Sequence, residues 1–259
     1  MFTPHGKFGW YELMTTDTAA AGEFYRNVVG WTSQEMKGAS GDYTVFSAEG
    51  AGVAGMLTIP EEAKAMGTPP SWIGYIAVDD VDAHITKITE AGGKLLRPAT
   101  DIPGMLRFAV VADPGGAAFI VFTPNPAMTP PANRPVPPAP GTISWHELYA
   151  GDGAAAFDFY SSLFGWTKGE TMDMGPMGIY QIFNMDGAQA GGMMTKPPNI
   201  PVAFWTYYLQ VDDINAAIER LKAGGGAVTM GPHQVPGGSW IVLGTDPQGA
   251  NFALVSAKG

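Results

Sequence analysis

Apolar and polar residues alternate from Lys7 to Met14, so that Trp10, Glu12 and Met14 share one face and Tyr11 and Leu13 the other. That is the period of a half-buried strand. Thr15-Thr16-Asp17 supplies an N-cap, Ala19 to Val29 continues with helix-forming residues, and Gly30 closes the helix. Strands are predicted at Tyr43 to Ala48 and Val53 to Ile59, about the turn Gly50-Ala51-Gly52. Glu61 to Pro70 is polar and reads as a connection. A strand over Trp72 to Val78 follows, then a cap at Asp79-Asp80 and a helix over Val81 to Ala91 that stops at Gly92-Gly93. Strands at Leu106 to Ala112 and Ala117 to Phe122 flank the turn Asp113-Pro114-Gly115-Gly116.

The whole pattern then recurs. Trp145-His146-Glu147-Leu148, Asp152, Phe159-Tyr160 and Gly165-Trp166 repeat Trp10-Tyr11-Glu12-Leu13, Asp17, Phe24-Tyr25 and Gly30-Trp31 at an offset of 135 residues. Asp212, Pro236 and Asp246 repeat Asp79, Pro103 and Asp113 at an offset of 133. A fixed-offset repeat means two copies of one unit, and the small drift marks loops of different length. The expected division is a first domain over 1–122, a proline-rich linker over 123–141 and a second domain over 142–259. Each domain contains two successive strand, helix, strands modules.

Composition narrows the functional classes. The net charge of −10 is shared, with 8 basic and 14 acidic residues in 1–122, 5 and 10 in the later copy, and Arg134 between them. An acidic surface on both halves argues against nucleic acid as a partner. The absence of cysteine removes thiol nucleophiles, thiolate metal sites and disulfides. Neither a signal-like start nor an apolar run of membrane-spanning length occurs, so the expectation is a cytoplasmic protein without a membrane partner. The glycine clusters lack the strand, loop and lysine context that cradles phosphate, and Ser, His and Asp occur without a nucleophile elbow.

The capping Asp with Phe-Tyr and Gly-Trp on the first helix, the Val-Asp-Asp helix start with its Gly-Gly stop, and the Asp-Pro-x-Gly turn together resemble the vicinal oxygen chelate superfamily. That group includes glyoxalases, bleomycin-resistance proteins and extradiol dioxygenases, and the resemblance covers nearly the whole chain except the linker. It implies an α+β fold of two glyoxalase-like domains, each built from two βαβββ modules forming a curved mixed sheet with a concave cup. Enzymes of the superfamily bind a divalent metal through His, Glu or Gln at four cup positions. Carried over residue by residue, these positions fall on Trp10 and Trp145, on Ile73 and Thr206, on Ile120 and Ala253, and near Met56 and Met193. Indole, aliphatic and thioether groups are poor ligands for a hard or borderline ion, so no metal and no cofactor is expected. His5, His84, His146 and His233 lie in a leader, a helix, the opposite strand face and a loop, and are not expected to converge.

What remains for the cups is Glu12 and Glu147, with Tyr75 and Tyr208 two residues beyond the vacated fifth-strand positions. Trp10, Trp145, Met56 and Met193 are expected as deformable walls, Ile73 and Ile120 as apolar floor, and Thr206 and Asn251 as extra polarity in the second cup. A carboxylate on an apolar concave surface must be hydrogen-bonded, paired or raised in pKa. The glutamates are therefore either structural acceptors held by tyrosine or backbone groups, or ligand-contacting general bases. Three functional readings stand: a metal-independent protein that binds a small organic molecule in one or both cups; a glyoxalase- or isomerase-type lyase using Glu12 or Glu147; and a non-catalytic structural or interaction module. Duplication could satisfy within one chain the contacts that single-domain relatives make as dimers, so a monomer with an internal pseudo-twofold, or a dimer of such chains, is expected.

Overall fold

The computed structural model describes residues 5–38, 41–127 and 135–259. In the first repeat, β1 (Phe8–Thr15), α1 (Thr18–Val29), β2 (Thr32–Gly38), β3 (Gly41–Ala48) and β4 (Ala51–Thr58) form one module. The short α2 (Glu61–Ala65) leads into the next, β5 (Ser71–Ala77), α3 (Val81–Glu90), β6 (Lys94–Ile102), β7 (Leu106–Ala112) and β8 (Ala118–Pro124). The second repeat gives β9 (Ile143–Ala150), α4 (Gly153–Phe164), β10 (Thr167–Asp173), β11 (Ile179–Met185) and β12 (Ala188–Thr195), followed by β13 (Phe204–Gln210), α5 (Ile214–Ala223), β14 (Ala227–Gln234), β15 (Trp240–Thr245) and β16 (Asn251–Ser256). Among the described residues these make two eight-stranded sheets, ordered β2-β3-β4-β1-β5-β8-β7-β6 and β10-β11-β12-β9-β13-β16-β15-β14. Both are open, curved, mixed sheets with the predicted α+β architecture of paired βαβββ modules.

Local chemistry explains where the helices begin and end. Asp17, Asp80, Asp152 and Asp213 are extended N-caps whose side chains accept from the backbone N–H three residues on. Gly30 and Gly165 end α1 and α4 in the left-handed conformation, with φ of 86° and 70°. Within the span expected to be a plain connection, Glu61–Ala65 forms one exposed helix, its two glutamates in the first turn favoured by the helix dipole. Residues 128–134 of the expected linker lie outside the described residues. Its beginning is strand, since β8 runs to Pro124, where a missing N–H costs little at a strand end.

By contact density the chain forms two compact units, and each draws on both repeats. One comprises Met1–Trp10, Ile73–Pro130 and Trp145–Trp205; the other comprises Tyr11–Trp72, Pro131–Ser144 and Thr206–Gly259. In the first, Asp113 of the Asp-Pro-Gly-Gly turn is buried, accepts from Ala117 N–H at 2.9 Å and from the Tyr160 hydroxyl at 3.2 Å, while Tyr160 accepts from Trp205 Nε1 at 3.0 Å. In the second, the matched chain runs from Trp72 Nε1 to Tyr25 at 2.8 Å and from Tyr25 to Asp246 at 3.2 Å. Burial raises the pKa of both aspartates, opposed by these donors. Aromatic packing surrounds each chain: Phe119 against Tyr160 and Phe164 in one unit, Phe24 and Tyr25 against Phe252 in the other. Trp31, Phe24, Trp166 and Phe159 are all buried as core residues, as their positions in the repeat suggest.

Candidate functional site

Strand alternation separates a face packed on helices from a cup face. On β9, Trp145, Glu147 and Tyr149 point to the cup, whereas His146 lies behind them, stacked on Phe8 at 4.1 Å between ring centroids and hydrogen-bonded through Nδ1 to the Ala190 carbonyl at 2.7 Å. Full burial pushes the His146 pKa down to about 4, so the ring is neutral and structural.

A built polar group lies on the cup face of the β9–β12 module. Glu147 is 7% exposed and accepts hydrogen bonds from the phenols of Tyr149 and Tyr180. Trp145 Nε1 donates to the Tyr180 hydroxyl at 2.9 Å, so indole, phenol and carboxylate form a directed chain. Both tyrosines have strongly raised pKa values, first because burial disfavours the phenolate and second because the Glu147 charge opposes it. Around this chain lie Ile182, Met194 and Met172, and Phe204 stacks on Tyr149 at 5.0 Å and 12°. The result is a set of aromatic and thioether side chains around one carboxylate, chemistry suited to an apolar organic molecule carrying hydrogen-bonding groups.

Gly192 makes this arrangement possible. It pairs with Ile182 on one side and Glu147 on the other, and a Cβ there would overlap the Tyr180 ring. Gly55 stands in the same relation to Tyr43 in the first repeat. Gly192→Ala is expected to displace Tyr180 from Glu147, costing about 1–3 kcal/mol of stability by overpacking. The displaced phenol would titrate at a lower pH than in the parent; an unchanged alkaline absorbance titration would contradict the geometry.

The remaining sequence candidates divide as follows. Trp10 and Glu12 lie on the half-exposed face of β1, with Met14 where the second repeat has Tyr149. Ile73 and Tyr75 are buried on the cup face of β5, opposite in sense to Trp72, and Tyr75 packs on Phe108 and Phe122. Ile120 pairs with Tyr75, and Ala253 with Tyr208. Thr206 is buried with a hydroxyl that has no hydrogen-bond partner, and Asn251 is exposed at the start of β16. Met56 and Met193 do not line the cups. They pair with Leu13 and Leu148 on the helix-packed face, and the Met56 methyl lies beside Gly22 of α1. A register differing by one residue exchanges the faces, and the cup positions on these strands belong to Gly55 and Leu57, and to Gly192 and Met194.

Two expectations about histidine also change. His233 lies within β14 and not in a loop. His5 and His84 do meet, 5.1 Å apart between centroids, with His5 Nδ1 3.4 Å from Asp79 and His84 Nε2 3.1 Å from the Leu163 carbonyl. Burial, then His5, lowers the His84 pKa. Among the described residues, no three His, Cys, Asp or Glu side chains are placed to hold one metal ion. With Trp, Ile, Thr and Ala at the ligand positions that the resemblance assigns, the donor set does not fit a divalent ion. A cleft of about 590 Å³ lies elsewhere, at Asp79–Asp82, Asp101–Arg107 and Thr123–Pro126, and contains none of these candidates. Its Arg107 is already neutralised by Asp82 and Asp101.

Tandem βαβββ modules, open curved sheets and inward-facing side chains on their cup faces define the class. Residues 7–121 and 142–254 each match the Glyoxalase/Bleomycin resistance protein/Dioxygenase superfamily, and the chain belongs to it. It is 33% identical over 253 residues to CFP32 of Mycobacterium tuberculosis, named as a glyoxylase, covering 96% of this chain and 94% of that one. It is 31% identical over 270 residues to the anthracycline biosynthesis protein DnrV of Streptomyces peucetius, covering 99% and 95%. Among solved structures, a Mn(II)-bound glyoxalase from Novosphingobium aromaticivorans superposes with a TM-score of 0.65 at 18% identity, over 98% of this chain and 83% of that one. The 2,3-dioxygenase LapB of Pseudomonas sp. KL28 gives 0.67 at 13% identity, over 98% and 93%. At such identities these structures share the fold. No helix among the described residues is long and apolar enough to cross a membrane.

Proposed function

We propose that this protein binds a small planar organic molecule on the cup face of the β9–β12 module, without a metal ion. The observation that carries the reading is the Trp145–Tyr180–Glu147–Tyr149 chain: a buried carboxylate fixed by two phenols, two residues from the position, held by Trp145, where the resemblance calls for a metal ligand. Glu147 serves as an oriented acceptor, and the aromatic and methionine side chains supply dispersion contact. Accepting from two phenols fixes the carboxylate in one orientation and occupies its oxygens, which favours binding over proton abstraction there. The name of DnrV, an anthracycline biosynthesis protein, makes a hydroxylated anthraquinone a rational first probe.

Protein purified without chelator is expected to hold far less than one equivalent of Zn, Ni, Fe or Mn after dialysis; near-stoichiometric retention would overturn the metal-free reading. A dihydroxyanthraquinone is expected to raise the Tm of the parent and to do so much less in Glu147→Gln or Tyr149→Phe. Binding linkage gives about 2.7 kcal/mol at a hundredfold excess over Kd. Equal shifts in all three proteins would place the ligand elsewhere. In Glu147→Gln, Tyr149 and Tyr180 are also expected to titrate at lower pH, because the charge that opposes their ionisation is gone.

A second reading has one observation in its favour. Glu12 is half-buried where Glu147 is buried, and Met14 replaces the phenol of Tyr149 beside it. A half-buried carboxylate is open to a ligand in the cup and would serve as general base for an isomerase-type lyase, taking a C–H proton next to a carbonyl and returning it at the neighbouring carbon. Turnover of methylglyoxal with a thiol that disappears in Glu12→Gln would favour this reading. Absence of both turnover and ligand-induced shifts would leave the fold as a non-catalytic interaction module.

A further inference from the structure

The two repeats differ in charge on the cup faces of their later modules. Across the β5–β8 module, one row of paired residues runs Arg97, Val110, Ile120, Tyr75. The matched row of the β13–β16 module runs Met230, Leu243, Ala253, Tyr208, apolar where the first begins with a cation. The Arg97 guanidinium carbon sits 5.3 Å above the centre of the Phe108 ring, and Phe108 packs in turn against Tyr75. Among the described residues Arg97 has no carboxylate partner, whereas Arg107, on the adjacent strand, is held by two. Beside it on the same face, Thr100, Leu106 and Val110 are half-buried and Ile102 is 38% exposed.

In a chain of net charge −10, a guanidinium over a ring and without a carboxylate partner among the described residues is open to an anion from outside the chain. Arg97 is exposed beside the ring, and a guanidinium fork meets a carboxylate in two parallel hydrogen bonds. The neighbouring apolar side chains offer a surface to whatever carries that anion. We propose that the cup face of the β5–β8 module is a binding site for a planar organic carboxylate, with Arg97 taking the charge and Val110, Leu106 and Ile102 taking the ring. This site is separate from the Glu147 face and does not depend on its function. The matched face has Met230 in place of Arg97 and so lacks the group that would take the charge.

The test compares 1-naphthoate with its neutral isostere 1-naphthamide by titration calorimetry on the full chain. The parent is expected to bind 1-naphthoate about tenfold or more tightly than the amide, a difference of about 1.4 kcal/mol, and to lose part of that preference in high salt. Arg97→Met, which installs the residue found in the other repeat, is expected to bind both probes alike. In the parent protein, the side-chain Nε–H resonance of Arg97 should move on addition of 1-naphthoate and stay in place with the amide, a readout that does not rely on any variant folding. Arg97→Gln provides a second variant should methionine disturb the module. Equal affinity of the parent for the two probes, no binding of 1-naphthoate, an unmoved Arg97 resonance, or a charge preference that survives both substitutions would each overturn the proposal.

Discussion

Replacing Trp166 by alanine is expected to cost about 3–5 kcal/mol of unfolding free energy, the range for removing a large aromatic from a packed core. Trp166 is 2% exposed, and its indole stacks on Phe183 at 4.5 Å and 11° and on Tyr160 at 5.3 Å and 8°, with Trp205 edge-on at 6.1 Å. Its Nε1 donates to the Gly6 carbonyl at 2.6 Å, so truncation also leaves a buried backbone acceptor without its donor. Trp31→Ala should fall in the same range, since Trp31 donates to the Gly141 carbonyl at 2.7 Å and stacks on Tyr25. Urea denaturation checks both: the midpoint falls while the slope is kept. A loss below about 1 kcal/mol would mean that the site collapses to fill the space.

The second large effect is acid lability. An unfolded chain takes up a proton at His146 near pH 6.5, but the native protein holds the ring neutral until about pH 4. Between those values the unfolded state binds more protons, so stability falls as the pH falls. The contribution is fully present above pH 6.5 and lost by pH 4, a change of about 3 kcal/mol at roughly 1.4 kcal/mol per pH unit. His84, lowered by burial, acts in the same direction. Asp113 and Asp246, raised by burial, act in the opposite direction at lower pH. His146→Gln retains an N–H for the Ala190 carbonyl without the titration, so the difference between its stability-versus-pH profile and the parent's isolates the effect. Parallel profiles between pH 7 and pH 4 would refute it.

The parts of this fold that were legible in the sequence are those written in local chemistry. Aspartate caps, glycine stops and alternation on β1 and β9 are decided by neighbouring residues, and each recurs in both repeats. The outer strands β2, β6, β10 and β14 were not legible. They are the sheet edges, β6 is mostly exposed on both faces, and Thr32–Gly38 and Thr167–Asp173 carry little of the apolar alternation that a half-buried strand must show. Charged and polar edges resist pairing with other chains, and that composition hides the strand from periodicity. Glu147 was identifiable as an inward carboxylate, but its partners were not, because Tyr180 reaches it only through the β11–β12–β9 register. The matched Gly55 and Gly192 were the available signal, since a strand glycine often marks close approach by another group. The facing of Met56 and Met193 depended on one residue of register in strands with four and five consecutive buried positions, where burial does not alternate.

The Asp-Pro-x-Gly turns were read as turns, yet their aspartates also reach across the repeat, Asp246 to a tyrosine 221 residues away. Because each compact unit takes one module from either repeat, neither half of the chain can complete these bonds from its own residues. Severed halves would therefore have to find each other from solution, at a rate and to an extent set by their concentration. Joining them in one chain replaces that search by an effective concentration on the order of millimolar. The covalent connection thus acts as a supply of partner, and dilution, which would dissociate two separate halves, is expected to leave the intact protein's unfolding midpoint where it was.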